Sequence, residues 1–479
     1  MKKVNFIMIG GSGHLCELNH YPAILSLKNE GIGARVVAIC DPLDPRSIDA
    51  SHYKVGRKNL NSILDSDNPL WINPTEYKDP AALTSYLNQI AKELDINVVI
   101  IATNPSYHYF YADWAVSAGI NVLCDKPLIV VPDSSWKPEQ AKLIEERFES
   151  LYKKVEEAQR INPDYRLSTP LRRRALTPFV TIAENLQSIY EKTDEGISYI
   201  TAVINSGVHR YPIEFLKGGA HGYLDGIGSL SHSSYHYLDV IAWYLQSAPG
   251  KIAKIGITLA YISRVKDYLA KQGYGQMMQL NDEDPSIVEQ DITLPESVLN
   301  AELDFAIHLH LYDEHDGKIG LISYASNHTT FSPRTTKYAP EMLDHTNDEN
   351  GGRMSQIYFD IHQGSVQNWQ LIKNDVVFEE NKIETTQRLH STLGVSHRNI
   401  KYSDAYDSET VTLKDLFISF AKKTVGIDVP EHHDEHLQIL STQRLTHRIF
   451  SATYELIAND YVHPGDTKEF MIDMKKIIG

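Results

Sequence analysis

The sequence has few cysteines, no long apolar run and no excess of positive charge, and each absence excludes a class of protein. Three cysteines among 479 residues are too few for a disulfide framework, and their odd number suits a reducing compartment. No segment approaches the roughly 20 consecutive apolar residues that a membrane-spanning helix needs. A formal net charge of −16 argues against a nucleic-acid partner, because such binding starts from a basic surface.

The remaining composition is that of an ordinary globular chain. Hydrophobic residues make up 42% and charged residues 23% of the sequence, and the length is comfortable for two domains. Two lysines lead directly into an apolar strand at residues 4–9, which is too short for the apolar region of a secretory signal. We therefore expect a cytoplasmic protein with no membrane and no nucleic-acid partner.

The stretch from residue 98 to residue 128 carries most of the functional information. Residues 98–101 form an uninterrupted β-branched run, which predicts a central parallel strand buried on both faces. Pro105 ends this strand, Ser106 is predicted to cap the helix that follows, and a second short strand delivers Asp125-Lys126-Pro127. Ligands of open α/β sheets bind outside the carboxyl ends of the strands, so Lys126 is expected to face the ligand.

The N-terminus shows the order strand, glycine-rich turn, helix, strand. Such a tight turn needs positive φ, and a backbone without Cβ atoms is able to approach a pyrophosphate at a helix N-terminus. The turn reads Gly10-Gly11-Ser12-Gly13-His14, and the best register on the dinucleotide fingerprint takes Gly11 and Gly13 as its first two glycines and Cys16 as the third position. Alone, this turn is equally compatible with another α/β fold.

Asp41, at the end of the second strand, favours the dinucleotide interpretation. A carboxylate there accepts hydrogen bonds from both ribose hydroxyls and repels a 2′-phosphate, which favours NAD over NADP. Arg46 lies five residues further on, within reach of a 2′-phosphate, so NADP stays the alternative cofactor.

The stretch from 98 to 128 resembles the Gfo/Idh/MocA family of oxidoreductases, which includes glucose-fructose oxidoreductase and inositol dehydrogenase. In that family a Thr-Pro-containing turn is followed by a His, a helix, and a strand that ends in Glu-Lys-Pro. Here Asp125 replaces the Glu and keeps its carboxylate. The resemblance implies NAD or NADP as the cofactor, and the residues that it implies as cofactor-binding are Gly11, Ser12, Gly13, His14, Asp41, Thr103, Asn104, Pro105, His108, Asp125 and Lys126.

A second stretch, residues 226–239, resembles the family's glycine-rich approach to Asp-x-Gly-x-His-x-x-Asp. His236 and Asp239 match in place, whereas His232 stands where the family has its first Asp, and Ser234 where it has Gly. On an α-helix, His232, His236 and Asp239 are four and three residues apart and share one face. An imidazole at position 232 supplies no negative charge, so the change is expected to shift the substrate, the pH optimum or activity itself.

The resemblance implies His236 as the acid/base, Lys126 as its partner, and His232 as a third member of the catalytic group. A histidine side chain has an ordinary pKa of ~6.5, near the working pH that a base needs, and a lysine stabilises a developing alkoxide. The expected substrate contacts are Arg173, Tyr235 and Asp239. The two histidines are also compatible with a zinc pair or with caps of a buried helix; without a third ligand of known geometry, we predict no metal site.

The predicted fold class is an α/β Rossmann domain with a doubly wound parallel sheet at residues 1–165, followed by an α+β domain at residues 166–479. The second domain is expected to hold one large, mostly antiparallel, open sheet with strands at 199–204, 252–261, 303–311, 319–325, 355–362 and 369–371. We further predict surface insertions at 265–298 and 333–354, and closing helices at 413–422 and 435–457. The resemblance implies a homo-oligomer, a dimer or a tetramer, formed through this sheet.

The function that the resemblance implies is hydride transfer between nicotinamide and a secondary hydroxyl of a sugar, amino sugar, sugar acid or cyclitol. One alternative is redox-neutral: oxidation of a sugar C3 hydroxyl acidifies the neighbouring C2 proton and permits glycosidic cleavage by elimination. A second alternative is a dinucleotide-binding sensor or scaffold without catalysis, which is motivated by His232 and Ser234.

Overall fold

The computed structural model divides the chain into two compact units that interleave along the sequence. The first unit comprises Met1–Val130, Glu146–Ala175 and Val411–Ser441, and the second comprises Val131–Glu145, Leu176–Thr410 and Thr442–Gly479. The sequence predicted one boundary instead, between residues 165 and 166. The structure describes residues 3–13, 15–47, 56–205, 215–216, 222–270, 293–329, 356–374, 382–402, 411–431, 433, 439–466 and 468–478.

The first unit is built on a six-stranded parallel sheet in the order β3-β2-β1-β4-β5-β6. Its strands are β1 (Lys3–Ile9), β2 (Gly33–Cys40), β3 (Leu70–Ile72), β4 (Val98–Ile101), β5 (Asn121–Cys124) and β6 (Leu167–Ser168). The helices along this part of the chain are α1 (Tyr21–Asn29), α2 (Lys58–Asp67), α3 (Pro80–Glu93), α4 (His108–Ser117) and α5 (Pro138–Ile161). Every pair of neighbouring strands in this sheet is parallel, so the predicted Rossmann sheet is confirmed.

Strand β4 lies at the centre of this sheet. All four of its residues are fully buried, as expected for a run that contains no polar side chain. It pairs with β1 on one side and with β5 on the other. The chain passes from β1 outward to β2 and from β4 outward to β5, so the strand order reverses between β1 and β4. That reversal is the point at which ligands of such sheets bind.

The second unit contains a nine-stranded sheet in the order β14-β13-β12-β11-β7-β10-β9-β8-β15. Its strands are β7 (Ile197–Asn205), β8 (Lys254–Arg264), β9 (Glu302–Tyr312), β10 (Lys318–Asn327), β11 (Gln356–Gln363), β12 (Gln367–Asn374), β13 (Lys382–Leu389), β14 (His397–Tyr402) and β15 (Phe470–Asp473). The further helices of the described chain are α6 (Thr177–Thr193), α7 (Tyr235–Ser247), α8 (Val265–Ala270), α9 (Glu296–Asn300), α10 (Leu413–Thr424), α11 (Ile439–Thr442), α12 (Arg444–Val462) and α13 (Lys475–Ile478). Among the described strand pairs, β7 with β10 is parallel and the others are antiparallel, which confirms the predicted second sheet.

The two faces of this sheet differ in polarity. In β9, every second residue from Phe305 to Leu311 is fully buried, whereas the residues between them are half-buried. Helix α7 packs against β7, and α12 packs against β8, so helices cover the apolar face. The opposite face is open and carries Tyr199 and Ile372 at 55% and 48% exposure. The predicted oligomer contact concerns this open face and stays a prediction.

The two predicted insertions are described only in part. Segment 265–298 begins with α8 and reaches into α9, whereas residues 271–292 and the whole of segment 333–354 lie outside the described residues. The two closing helices correspond to α10 and α12. Within the described residues, no helix combines the length and the apolar composition that crossing a membrane requires.

Helix α10 belongs to the first unit although it lies late in the sequence. It packs against α1, and Phe417 stacks on Phe6 of β1 with the ring centroids 5.7 Å apart. A capping box fixes the start of the helix, in which the Thr412 side chain accepts the Asp415 backbone N–H and the Asp415 side chain accepts that of Thr412. Burial of the Phe417 ring in the first core explains why the units interleave.

A buried carboxylate organises the approach to α7 in the second unit. Glu302 is fully buried and accepts hydrogen bonds from the Ser135 hydroxyl, the Leu230 N–H at 3.0 Å and the Tyr454 hydroxyl at 2.9 Å. Burial raises the pKa of the Glu302 carboxyl, and these donors offset part of that effect. A Cβ at Gly228 would lie 1.8 Å from the Glu302 carbonyl oxygen, so only glycine fits beside it.

Gly228→Ala is expected to destabilise the protein by about 3 kcal/mol, because backbone rather than a flexible side chain fills the space of the new Cβ. Urea unfolding followed by circular dichroism measures the loss. Gly119→Ala is the matched control, since nothing lies within 4 Å of its Cβ and only the ~1 kcal/mol cost of its positive φ is expected. Equal losses in the two variants would contradict the packing argument.

Candidate active site

The glycine-rich turn after β1 lies against the end of β4. Gly10 has a φ of +78°, and a Cβ there would lie 2.6 Å from the Ala102 carbonyl oxygen and 2.7 Å from the Thr103 Cα. A Cβ at Gly11 would lie 2.8 Å from the Ile39 side chain. Both positions therefore require glycine. Gly10 is absent from the predicted binding residues, and its place directly after the strand is the signal that identifies it.

A π-helix follows the turn and passes into α1. It spans Cys16–His20, and His14 lies outside the described residues. Cys16, at the third fingerprint position, is fully buried, and its thiol donates to the Gly10 carbonyl oxygen at 3.6 Å. The Tyr21 hydroxyl donates to the Gly11 carbonyl oxygen at 2.6 Å. Two side chains of the helical segment thus hold the turn, and π-helices of this kind are frequent at functional sites.

Asp41 holds the other side of the same turn. One carboxylate oxygen accepts the Ser12 N–H at 3.0 Å, and the other accepts the Leu43 N–H at 2.9 Å. A carboxylate oxygen has two lone pairs, so acceptance of one backbone N–H is compatible with a ribose hydroxyl as a second donor. The Arg46 guanidinium donates to the Asn68 side chain at 3.0 Å. Because Arg46 is engaged there, the geometry favours NAD over NADP.

The turn between β4 and α4 contains the predicted cofactor residues Thr103, Asn104 and Pro105. The Asn104 side chain accepts the Ser106 N–H at 2.9 Å and caps the short 3₁₀ helix Pro105–Tyr107. The predicted Ser106 cap is therefore wrong, because this 3₁₀ helix precedes α4 and α4 itself has no side-chain cap.

His108 connects the ends of two neighbouring strands. It is 1% exposed, with Nδ1 2.8 Å from the Pro127 carbonyl oxygen and Nε2 3.1 Å from that of Thr103. Burial lowers the pKa of the His108 imidazole, and the two carbonyl groups oppose that effect. The ring therefore fixes the loop after β5 against the turn after β4.

Asp125 and Lys126 directly follow β5, and the peptide bond between Lys126 and Pro127 is cis. Oδ1 of Asp125 lies 3.5 Å from His20 Nε2, whereas Oδ2 is buried and accepts no hydrogen bond from the described residues. Burial by itself raises the pKa of this carboxyl. The interaction with His20, and to a smaller extent those with His108 and Lys126, lower the pKa below its usual value. Asp125 is therefore charged at neutral pH and has an acceptor for a ligand.

These features of the first unit fit a nicotinamide dinucleotide. Gly10 and Gly11 keep open a backbone cradle that a Cβ would fill. Asp41 presents a carboxylate after β2, and Asp125 presents a buried acceptor after β5. The turn, both carboxylates and Lys126 thus follow strands of one sheet at their carboxyl ends.

The second predicted catalytic stretch also begins in a π-helix, at Leu230–Ser234, which passes into α7. His232 lies in the π-helix, whereas His236 and Asp239 lie in α7, so the α-helical spacing holds between His236 and Asp239 but not between His232 and His236. His232 is 6% exposed, Asp239 is fully buried and His236 is half-buried. His236 and Asp239 therefore keep the predicted three-residue spacing on one helix, and His232 departs from it.

His232 lies among aromatic rings. Its Nδ1 is 2.7 Å from the Ser233 hydroxyl, and its ring meets those of His328 and Tyr223 edge-on, with the centroids 5.6 and 5.9 Å apart. His328 is fully buried directly after β10, and its N–H donates to Asp304 at 2.6 Å. Nothing in the local sequence marks His328, because its neighbour His232 is about a hundred residues away along the chain.

Two expected substrate residues, Tyr235 and Asp239, are fully buried. The Tyr235 hydroxyl lies 3.0 Å from His447 Nε2, and the Thr446 hydroxyl donates to Asp239 at 2.8 Å. Burial lowers the pKa of His447 to about 3, so this imidazole is neutral at pH 7. These contacts connect α7 to α12.

The third expected substrate residue, Arg173, is half-buried in the short 3₁₀ helix Arg172–Ala175 of the first unit. In the part of the chain that the structure describes, no three His, Cys, Asp or Glu side chains are grouped to hold a metal ion.

A comparison with family sequence models finds a match in the first third of the chain. Residues 4–156 match the sequence model of the Gfo/Idh/MocA family, described as an oxidoreductase family with an NAD-binding Rossmann fold. This range runs from β1 into α5. Residues 4–156 are therefore similar to the NAD-binding Rossmann domain of that oxidoreductase family, as the motifs predicted. A comparison with curated proteins gives no match.

Solved structures share the fold along nearly the whole chain. Aldose-aldose oxidoreductase from Caulobacter crescentus, complexed with glycerol, is 10% identical with a TM-score of 0.51 and covers 98% of this chain and 100% of its own. Levoglucosan dehydrogenase, in complex with NADH and levoglucosan, is 13% identical with a TM-score of 0.52, and the match covers 98% of this chain and 99% of that one. The WlbA dehydrogenase from Bordetella pertussis, in complex with NADH and UDP-GlcNAcA, is 14% identical with a TM-score of 0.50, and the match covers 99% of this chain and 98% of that one. At these identities the likeness shows the fold alone.

Asp41→Ser is expected to abolish the preference for NAD, because the carboxylate that repels a 2′-phosphate is removed. We expect the unaltered protein to bind NADH at least ~10-fold more tightly than NADPH, and the variant to bind both about equally. Protein fluorescence quenching measures the two dissociation constants. Asp44→Ser is the control, since Asp44 lies in the same loop and accepts the Arg46 N–H. An unchanged ratio in Asp41→Ser would remove Asp41 from the ribose site.

Proposed function

We propose that the protein transfers a hydride between NAD and a secondary hydroxyl of a small carbohydrate, whether a sugar, an amino sugar, a sugar acid or a cyclitol. The observation that carries the proposal is the position of Lys126, which directly follows β5. The glycine turn and Asp41 follow β1 and β2 of the same sheet. Proteins of the same fold are named for aldoses and for levoglucosan, which supports this substrate class.

Two side chains are proposed to handle the reacting hydroxyl. NAD, when bound, supplies the hydride acceptor. The Lys126 ammonium hydrogen-bonds the hydroxyl oxygen and stabilises the negative charge that develops there. His236, half-buried in the first turn of α7, takes the hydroxyl proton, because an imidazole titrates near the pH at which enzymes work.

His232 is proposed to influence His236 and the choice of substrate. Its ring meets those of His328 and Tyr223 edge-on, with the centroids 5.6 and 5.9 Å apart. These rings are proposed to give the substrate an aromatic surface at this position. Arg173 of the first unit is proposed to contact a polar group of the substrate.

We also propose a cytoplasmic homo-oligomer that associates through the open face of the nine-stranded sheet. Large apolar side chains on this face support the proposal, since exposed apolar patches mark interaction surfaces. They are Tyr199, Tyr261, Ile372 and Met471, each between 45% and 55% exposed.

The two alternative functions predict different products. A redox-neutral eliminating enzyme would cleave an aryl glycoside with no net formation of NADH. A sensor would bind NAD without turnover of either class of substrate. Neither alternative is favoured by a contact of the described residues, and both are outcomes of the experiment below.

Lys126→Ala is expected to lower kcat/KM by about 10²- to 10⁴-fold, because a fixed charge beside the reacting oxygen is lost. NADH absorbance with a panel of sugars, sugar acids and cyclitols measures turnover. Lys154→Ala is the matched control, because Lys154 pairs with Asp113 at 2.5 Å elsewhere in the first unit, and it should retain full turnover. Full turnover in Lys126→Ala would contradict the proposal, as would aryl glycoside cleavage without net NADH.

A further inference from the structure

His20 is a buried histidine with no role in the function proposed above. It is the last residue of the π-helix that begins at Cys16, and its side chain is 10% exposed. Its Nε2 lies 3.5 Å from Oδ1 of Asp125, and its ring packs against Phe417 of α10 with the centroids 5.5 Å apart. One imidazole therefore connects the segment after the glycine turn with the strand end that delivers Lys126.

The π-helix fixes the position of this imidazole. At one end Cys16 donates to Gly10, and directly after the other end Tyr21 donates to Gly11, so both ends of the segment are attached to the turn. A separation of 3.5 Å is longer than an ordinary hydrogen bond.

We propose that His20 is a positioning residue of the dinucleotide site, which holds Asp125 by Oδ1 so that Oδ2 accepts a hydroxyl or amide donor of bound NAD. Oδ2 is buried, and none of the described residues donates to it. A buried carboxylate oxygen without a donor costs free energy, and a donor from a ligand removes that cost. The inference rests on NAD binding and needs no particular substrate.

The groups around Asp125 give the proposal a pH dependence. The ionisable groups that face the carboxyl are His20 from the π-helix, His108 from α4, the adjacent Lys126, and the thiols of Cys16 and Cys124. Burial raises the pKa of Asp125, and His20 is the strongest of the influences that lower it. Removal of His20 therefore raises that pKa. Binding that needs the charged carboxylate is present above the pKa and is lost as the pH falls through it, so the loss moves to higher pH in the variant.

A double-mutant cycle on NADH affinity, measured by fluorescence titration without any substrate, tests the proposal. His20→Leu is expected to weaken NADH binding about tenfold, because the carboxylate is no longer held in place, and the pH below which binding is lost is expected to rise. His20→Gln keeps an N–H donor at similar reach and should restore most of the affinity. In an Asp125→Asn background, His20→Leu should change the dissociation constant less than about twofold, since its effect passes through the carboxylate.

His310→Leu is the matched control, because it removes a histidine–carboxylate contact of 2.8 Å to Glu469 in the second unit and should leave NADH affinity unchanged. Equal weakening by His20→Leu in both backgrounds would overturn the proposal, and so would a His20→Gln variant that binds no better than His20→Leu. If His20→Leu does not fold, the NADH affinity of Asp125→Asn tests the inference by itself. The inference requires about tenfold weaker NADH binding in this variant, and unchanged binding would overturn it. Absence of sugar oxidation would contradict the proposed function and leave this cycle untouched.

Discussion

The first unit depends on the direct approach of two strand ends. The backbone of Gly10, at the end of β1, lies against Ala102 and Thr103, at the end of β4, with no side chain between them. From these two ends the chain leaves in opposite directions, so a crevice opens above the contact. Asp41 and Asp125 follow the next strands outward on either side, β2 and β5. Strand order therefore brings Asp41 to the same edge of the sheet as the adjacent residues Asp125 and Lys126, which are far from it in the sequence.

Much of this unit was predictable because local sequence and tertiary environment agree. The run from Val98 to Ile101 contains only β-branched residues, and only a strand buried on both faces accepts them. Prolines and glycines mark where the neighbouring turns begin, and the carboxylate after β2 has one obvious use in such a sheet. The prediction of a Ser106 cap was wrong for a local reason. Asn104 and Ser106 are both suitable cap residues, and the 3₁₀ helix Pro105–Tyr107 begins directly after Asn104.

The remainder was not predictable, since it rests on contacts between residues distant in sequence and on helical segments without a sequence signature. His20 gains significance only through Asp125, and His328 only through His232. The spacing of His232, His236 and Asp239 assumed an α-helix, and the segment Leu230–Ser234 does not have that geometry. Helix α10 joins the first unit through Phe417, a contact that no periodicity in the last hundred residues reveals.

The π-helix at Cys16–His20 determines which side chains reach the glycine turn. In a regular α-helix two residues five apart along the chain lie about 140° apart around the axis, so Cys16 and Tyr21 would not both face the turn. A π-helical turn accommodates one residue more, and it brings these two side chains to the same side. Deletion of Leu18, whose side chain is 45% exposed, would restore regular helix with Cys16 and Tyr21 four residues apart and still on that side. The extra residue is therefore accommodated within the π-helix, and the contacts at both of its ends are kept.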